Sequence, residues 1–335
     1  MKIDGSISGQ ISDTKKLATE LEAAGYDGVW TGEAKHDPFL QLLQAAEATD
    51  RVTLGTAIAI AFARTPMTLA YAAYDLALYS EGRFVLGLGS QVKAHIERRF
   101  SMPWSHPAPR MRELVLALRA IWASWQGGEK LNFQGDFYTH TLMTPFFSPA
   151  AHAYGPPPVY LAGVGERMTE VAGEVCDGFF FHPFTTDRYV REITLPALMR
   201  GRARAGRTDL DGFTVVGPAF TCAGRDETEL AAAIKGTKDQ IAFYASTPAY
   251  RSVLDLHGWG DLQPELTRLS KEGRWSEMGE AIDDEVLHAF AVVGTPAEVG
   301  KGLRQTWGDL AGRITLYAPY QADPALLTEV LDATR

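Results

Sequence analysis

Short runs of β-favouring residues alternate with longer amphipathic stretches along this chain, and that alternation restricts the fold to a parallel sheet flanked by helices. Eight such runs stand at Lys2–Gly5, Asp27–Thr31, Val52–Ile58, Phe84–Gly89, Val159–Ala162, Gly178–Phe181, Phe213–Thr221 and Ile314–Tyr317. After the first, Leu17, Leu21 and Ala24 share one helical face, with Lys15, Lys16, Glu20 and Glu22 outside it, and Gly25 ends the helix. Pro66, Pro296 and Pro324 sit near the starts of helical runs, where a missing N–H is tolerated best. Eight βα units predict a closed (β/α)8 TIM barrel; an open doubly wound sheet has similar local patterns.

Two stretches break the rhythm. Residues 127–158, after the fourth strand, are rich in Pro, Phe, Tyr and Thr without a helical period. Residues 245–284, before the eighth strand, carry helical pieces around Trp259 and Trp275. Both read as insertions over the mouth of one domain spanning 1–335, because long loops in compact folds are usually lids or binding loops.

The charge balance narrows the partners. Forty-one acidic residues against 32 basic ones leave a net charge of −9, which speaks against nucleic acid and anionic membrane surfaces. Two cysteines, Cys176 and Cys222, make no disulfide framework and lack metal-ligand spacing. No apolar stretch reaches the ~20 residues of a membrane helix, and the first residues carry no signal-peptide pattern. A cytoplasmic protein with no metal centre is the expectation.

In a barrel the chemistry lies at the carboxyl ends of the strands. After the second strand, Glu33, Lys35, His36 and Asp37 form a dense titratable cluster. Glu33 and His36 are the candidates for proton transfer, whereas Asp37 before Pro38 reads as a helix cap. The fourth strand ends Gly87-Leu88-Gly89-Ser90-Gln91-Val92-Lys93, small residues followed by donors suited to a ligand. Arg98, Arg99, Arg110 and Arg112 follow, a basic cluster that suits either an anionic tail or a solvated helix face. After the fifth strand, Gly163-Val164-Gly165-Glu166-Arg167 feeds a helix N-terminus, a natural phosphate site. Met168 stands where a dinucleotide fingerprint needs glycine, so a nicotinamide-binding domain is disfavoured. The sixth strand runs into Phe181-His182-Pro183-Phe184, either a structural loop or the wall of a flat-ring pocket. No nucleophile elbow, zinc-protease motif, P-loop or Cys-x-x-Cys is present.

Taken together, Gly25-Tyr26-Asp27-Gly28-Val29-Trp30, Leu54-Gly55-Thr56-Ala57-Ile58, Gly82-Arg83-Phe84 through Ser90, Pro158 through Gly165, and Ala172 through Gly178 resemble the luciferase-like flavin and deazaflavin oxidoreductases over nearly the whole chain. Lys35-His36-Asp37-Pro38-Phe39 and Ser90-Gln91-Val92-Lys93 look most like the branch that uses coenzyme F420, a deazaflavin. The resemblance implies a barrel holding a tricyclic ring in its mouth. It implies ring contacts at Thr56, Ala57 and Ile58, with a non-proline cis peptide joining Ala57 to Ile58, and further contacts at Gly89, Ser90, Gln91, Val92 and Lys93. Gly163, Val164, Gly165, Glu166 and Arg167 would hold the phosphate. Two departures stand out. Ala34 occupies the place where many relatives carry His, so either His36 takes that role or no His does. Val92 stands where the sugar-phosphate dehydrogenases carry a catalytic Glu, which disfavours glucose 6-phosphate.

The resulting expectation is an F420-dependent oxidoreductase moving a hydride between deazaflavin C5 and a small organic substrate. Phe133, Phe137 and Tyr138 in the first insertion favour an apolar or aromatic substrate. An FMN-dependent monooxygenase and a non-catalytic flavin-binding protein are the alternatives. The resemblance also implies a homodimer; Met67, Ala70, Tyr71 and Tyr74 could serve it, although the stripe reads better as ordinary core.

Overall fold

A computed structural model describes all residues, Met1–Arg335. The eight expected runs become strands β1 (Lys2–Ser6), β2 (Gly28–Thr31), β3 (Thr53–Thr56), β4 (Phe84–Gly89), β5 (Val159–Ala162), β6 (Gly178–Phe180), β7 (Thr214–Ala223) and β8 (Arg313–Tyr317). All are parallel, and each pairs with its neighbours in chain order from β1 to β6. β7 pairs with β6 and β8, and β8 with β1, closing a (β/α)8 barrel.

The chain divides into two compact units, one of Asp4–Phe180 with Ala197–Thr214, the other of Met1–Ile3, Phe181–Pro196 and Val215–Arg335. In the first, helices α1 (Thr14–Ala23), α2 (Pro38–Ala48), α3 (Pro66–Tyr79), α4 (Lys93–Arg98), α5 (Pro107–Gly127) and α6 (Glu166–Val175) follow the strands. Gly25, with φ of 95°, ends α1 as its position suggests. Trp30 is buried and donates its Nε1–H to Asp4 Oδ2 at 2.8 Å. Left unmade, a buried bond of that kind costs about 1–3 kcal/mol. Arg83 holds the entry to β3, donating to the carbonyls of Ala46 and Val52 and to Thr49 Oγ1 at 3.0–3.3 Å.

The second unit buries Phe184, Phe220, Phe290, Leu266 and Met278 in one core. Its helices Pro296–Trp307 and Pro324–Thr334 begin on proline, as does α3 in the first unit. A short strand, Ala291–Gly294, was not expected; it pairs with the outer half of β7, Phe220 through Ala223. The 245–284 segment is helical, with Arg251–His257, Leu262–Lys271 and Trp275–Glu280. The 127–158 segment instead forms a small antiparallel hairpin, Phe133–Gln134 with Thr139–His140, and a 3-10 turn at Pro145–Phe147. Glu113 on α5 holds the hairpin by accepting the N–H groups of Asp136, Phe137 and Tyr138 at 2.6–2.9 Å. Cys176 and Cys222 are buried and unpaired.

One expected strand is broken. Val52–Ile58 reads as continuous, yet β3 stops at Thr56 and resumes only as Ala59–Ile60, which pairs with Leu88 and Gly89 of β4. The Thr56 hydroxyl takes over where the ladder fails: it accepts the Gly87 N–H at 2.8 Å and donates to the Gly87 carbonyl at 2.6 Å. Glycine is required opposite, since a Cβ on residue 87 would lie 1.8 Å from the Thr56 carbonyl oxygen. The residues between form a bulge, and the bond joining Ala57 to Ile58 within it is cis.

Candidate active site

The bulge lies at the carboxyl ends of β2, β3 and β4, all within the first unit. Ala57 N–H donates to the Thr31 carbonyl at 2.8 Å, and Glu33 N–H donates to the Ile58 carbonyl at 3.0 Å. Gly32 sits against it, because a Cβ there would be 3.0 Å from the Ala57 carbonyl oxygen. A side chain would have to push the bulge outward.

Glu33 fastens this arrangement with one oxygen. Its Oε2 accepts the Ile60 N–H at 2.7 Å and the Arg64 Nη1–H at 2.5 Å, and its side chain is only 8% exposed. Both contacts use Oε2, so Oε1 makes no hydrogen bond within the chain. Arg64 continues to Asp37 Oδ2 at 2.8 Å, and Asp37 Oδ1 caps α2 by accepting the Phe39 N–H at 2.9 Å. Burial alone would lower the Arg64 guanidinium; hydrogen bonds and charge from Glu33 and Asp37 outweigh it and raise it. Asp37 is thus the expected cap, with Pro38 as the first helical residue.

Arg64 is the residue that sequence reading missed. It lies 31 positions from Glu33, so no local pattern joins them; the one hint is a charged residue ending the apolar run Leu54–Ala63. His36 is half-buried on the same loop and bonds to none of these groups. The loop is tied from the other side by Arg99, whose Nη2–H donates to the Ala34 carbonyl at 2.8 Å.

The remaining candidates divide by what their atoms are already doing. Thr56 is fully buried with its hydroxyl committed to Gly87, so it shapes the bulge. Gly89 is buried beside Ile58. Ser90 and Gln91 are half-exposed, and Gln91 adopts a left-handed backbone, φ 59°, that its side chain supports by accepting the Val92 N–H at 2.9 Å. Val92 and Lys93 are exposed at the start of α4.

At α6 the helix begins with no side-chain cap on Gly165. The N–H groups of Val164, Gly165, Glu166 and Arg167 find no partner in the chain, while those of Met168 and Thr169 bond to the Gly165 carbonyl at 3.1 and 3.2 Å. A Cβ at Gly165 would meet nothing within 4 Å. Glu166, the one anion here, is drawn aside into an ion pair with Arg200, which also holds Glu170 at 2.7 Å. Four free amides, an open approach and the positive end of a helix form a donor set that fits a phosphate group.

The sequence pattern of the luciferase-like monooxygenases matches residues 3–312. An uncharacterized protein of Mycobacterium tuberculosis is 55% identical over 314 residues, covering 94% of this chain and 92% of its own length. The F420-dependent glucose-6-phosphate dehydrogenase of Intrasporangium calvum is 28% identical, with 89% and 86% of the two chains covered. Among solved structures, the coenzyme F420 dependent tetrahydromethanopterin reductase of Methanopyrus kandleri superposes with a TM-score of 0.80 over 99% of this chain and 97% of its own, at 19% identity. That last likeness is one of fold.

Proposed function

This chain belongs to the luciferase-like monooxygenase family, and from that premise we propose that it is a coenzyme F420-dependent oxidoreductase acting on a small organic substrate. The observation that carries the reading is the run of four unpartnered N–H groups from Val164 to Arg167 at the open start of α6. The presence of F420-dependent enzymes among its relatives favours the deazaflavin over FMN.

A bound deazaflavin supplies a hydride donor or acceptor at its C5. The protein's part is to position and to handle a proton. Val164 through Arg167 hold the phosphate through their amides. The bulge at Ala57 and Ile58 is a backbone surface for a flat ring, pinned by hydrogen bonds to Thr31 and Glu33. Ser90, Gln91 and Lys93 supply donors at the next strand end. Glu33 presents Oε1, and His36 its ring, for proton exchange. Because Oε2 is engaged by Arg64 and Ile60, the Glu33 carboxyl is held in one orientation rather than free to turn.

The test is a titration of the purified protein with oxidised coenzyme F420 and, separately, FMN, followed by quenching of its seven tryptophans. Saturable binding of F420 with indifference to FMN is the expected result. The reverse moves the chain to the FMN enzymes, whose phosphate the same amides would accept, and binding of neither overturns the reading.

A further inference from the structure

One group of polar rings lies wholly in the unit formed by Met1–Ile3, Phe181–Pro196 and Val215–Arg335. His182 follows β6, Tyr244 lies in helix Glu227–Ala245, Tyr250 ends the 3-10 turn Pro248–Tyr250, and Tyr317 is the last residue of β8. His182 Nδ1 accepts the Phe184 N–H at 3.0 Å, and its Nε2 is 3.1 Å from Tyr250 Oη. The His182 and Tyr250 rings stack with centroids 4.4 Å apart, and Tyr244 meets His182 edge-on at 4.8 Å. Tyr244 Oη and Tyr317 Oη are 3.1 Å apart. All four residues are half-buried.

The hydrogen bonds settle where the protons are. A ring nitrogen that accepts an N–H keeps its lone pair, so His182 is neutral and carries its proton on Nε2. Burial pushes the His182 imidazolium down to about 4, in agreement, and no charged side chain acts on it. Nε2–H therefore donates to the Tyr250 oxygen, and the Tyr250 hydroxyl hydrogen has no acceptor within the chain. The Tyr244–Tyr317 pair likewise holds two hydroxyl hydrogens for one bond. Two O–H donors are thus left over, one on Tyr250 and one on the Tyr244–Tyr317 pair, and the Tyr244 ring lies 6.2 Å from that of Tyr250.

We propose that this cluster binds a small neutral molecule through a carbonyl oxygen, with Tyr250 as the donor and His182 as the residue that directs it. A carbonyl accepts two hydrogen bonds and the flanking rings suit a flat apolar body. A carboxylate or phosphate is disfavoured, because no cation stands against these hydroxyls. The site makes no use of the α6 amides, so it stands or falls apart from the deazaflavin reading.

Two measurements on the cofactor-free protein test it. Calorimetric or NMR titration with acetophenone and with ethylbenzene, which has a similar shape but no acceptor, should show acetophenone bound more tightly. Tyr250→Phe should erase roughly two- to tenfold of that preference, the range of one neutral hydrogen bond. His182→Gln, which retains a donor, should preserve more of the preference than His182→Phe. Ring 15N shifts of His182, assigned by difference from His182→Gln, should report Nε2–H from about pH 6 to pH 8. Equal affinity for the two probes, no binding of acetophenone up to its solubility, a preference untouched by Tyr250→Phe, or an Nδ1–H tautomer would each overturn the proposal. A failed F420 titration would leave it intact.

Discussion

Arg64 shows how much one side chain can decide at the candidate active site. Its guanidinium spans two carboxylates, Glu33 inside and Asp37 toward the surface. Replacing it with alanine leaves the Glu33 carboxylate largely buried without its cation, which should cost about 2 kcal/mol, discounted for the partial exposure of the pair. The double variant Arg64→Ala with Glu33→Gln should lose clearly less than the two single losses added together, as read by urea unfolding. Strict additivity would mean the ion pair does not couple the positions. Sequence reading reached Glu33, His36 and Asp37 because they crowd one loop after a strand. It reached Ala57–Ile58 only through family likeness, since nothing in the pattern Leu54–Phe62 distinguishes a bulge from a strand. The same likeness put Thr56 at the ring; in the structure its hydroxyl bonds to the Gly87 amide and carbonyl and fills a gap in the ladder.

At the scale of elements, the strands were readable because apolar period and flanking helices agree along most of the chain. Ala291–Gly294 escaped because four residues carry too little periodicity to stand out beside a helix, and its pairing with the end of β7 is a tertiary event. The link from α1 to β3 offers a pH test. Glu22 accepts the N–H groups of Arg51 and Val52 at 2.7 and 3.0 Å, and that of Asp50 at 3.2 Å. Burial raises this carboxyl, but those amides and the Arg51 charge outweigh it and hold it below its usual 4.5. A carboxyl lowered on folding stabilises the native state above its unfolded value and loses that contribution as pH falls toward the folded one. Wild type should therefore exceed Glu22→Gln in stability at pH 7 by about 1 kcal/mol, with the gap closing below about pH 4.5. A gap constant down to pH 3 would rule the charge out as its source. The α6 start makes a second prediction. Gly165 has φ −92° and ψ 153°, ordinary extended backbone, with open space around it. Gly165→Asp supplies a cap to the free amides and should raise the stability of the cofactor-free protein by a few tenths of a kcal/mol. The same carboxylate should repel a phosphate and abolish cofactor binding. Unchanged binding would remove these amides from the site.

For the molecule as a whole, the prediction concerns ligand linkage. A ligand that binds only the folded chain adds about 2.7 kcal/mol at a hundred times its Kd. Coenzyme F420 should therefore raise the unfolding temperature in calorimetry, while Gly165→Asp should flatten the response. A shift of equal size in that variant would mean that the ligand acts elsewhere. No helix is long and apolar enough to cross a membrane. Barrel closure was legible because eight βα units leave few other arrangements, whereas the division into two compact units runs through β1 and β7 and leaves no mark in composition.

The pairing of Glu33 and Asp37 with Arg64 also sets a rule for engineering this scaffold. The β2–α2 loop and the segment 57–64 are distant in sequence but share one guanidinium. This loop moved into another scaffold without Arg64 would arrive with Glu33 and Asp37 stripped of the cation that pairs them here. The two segments form one module of exchange, and chimaeras should carry both or neither.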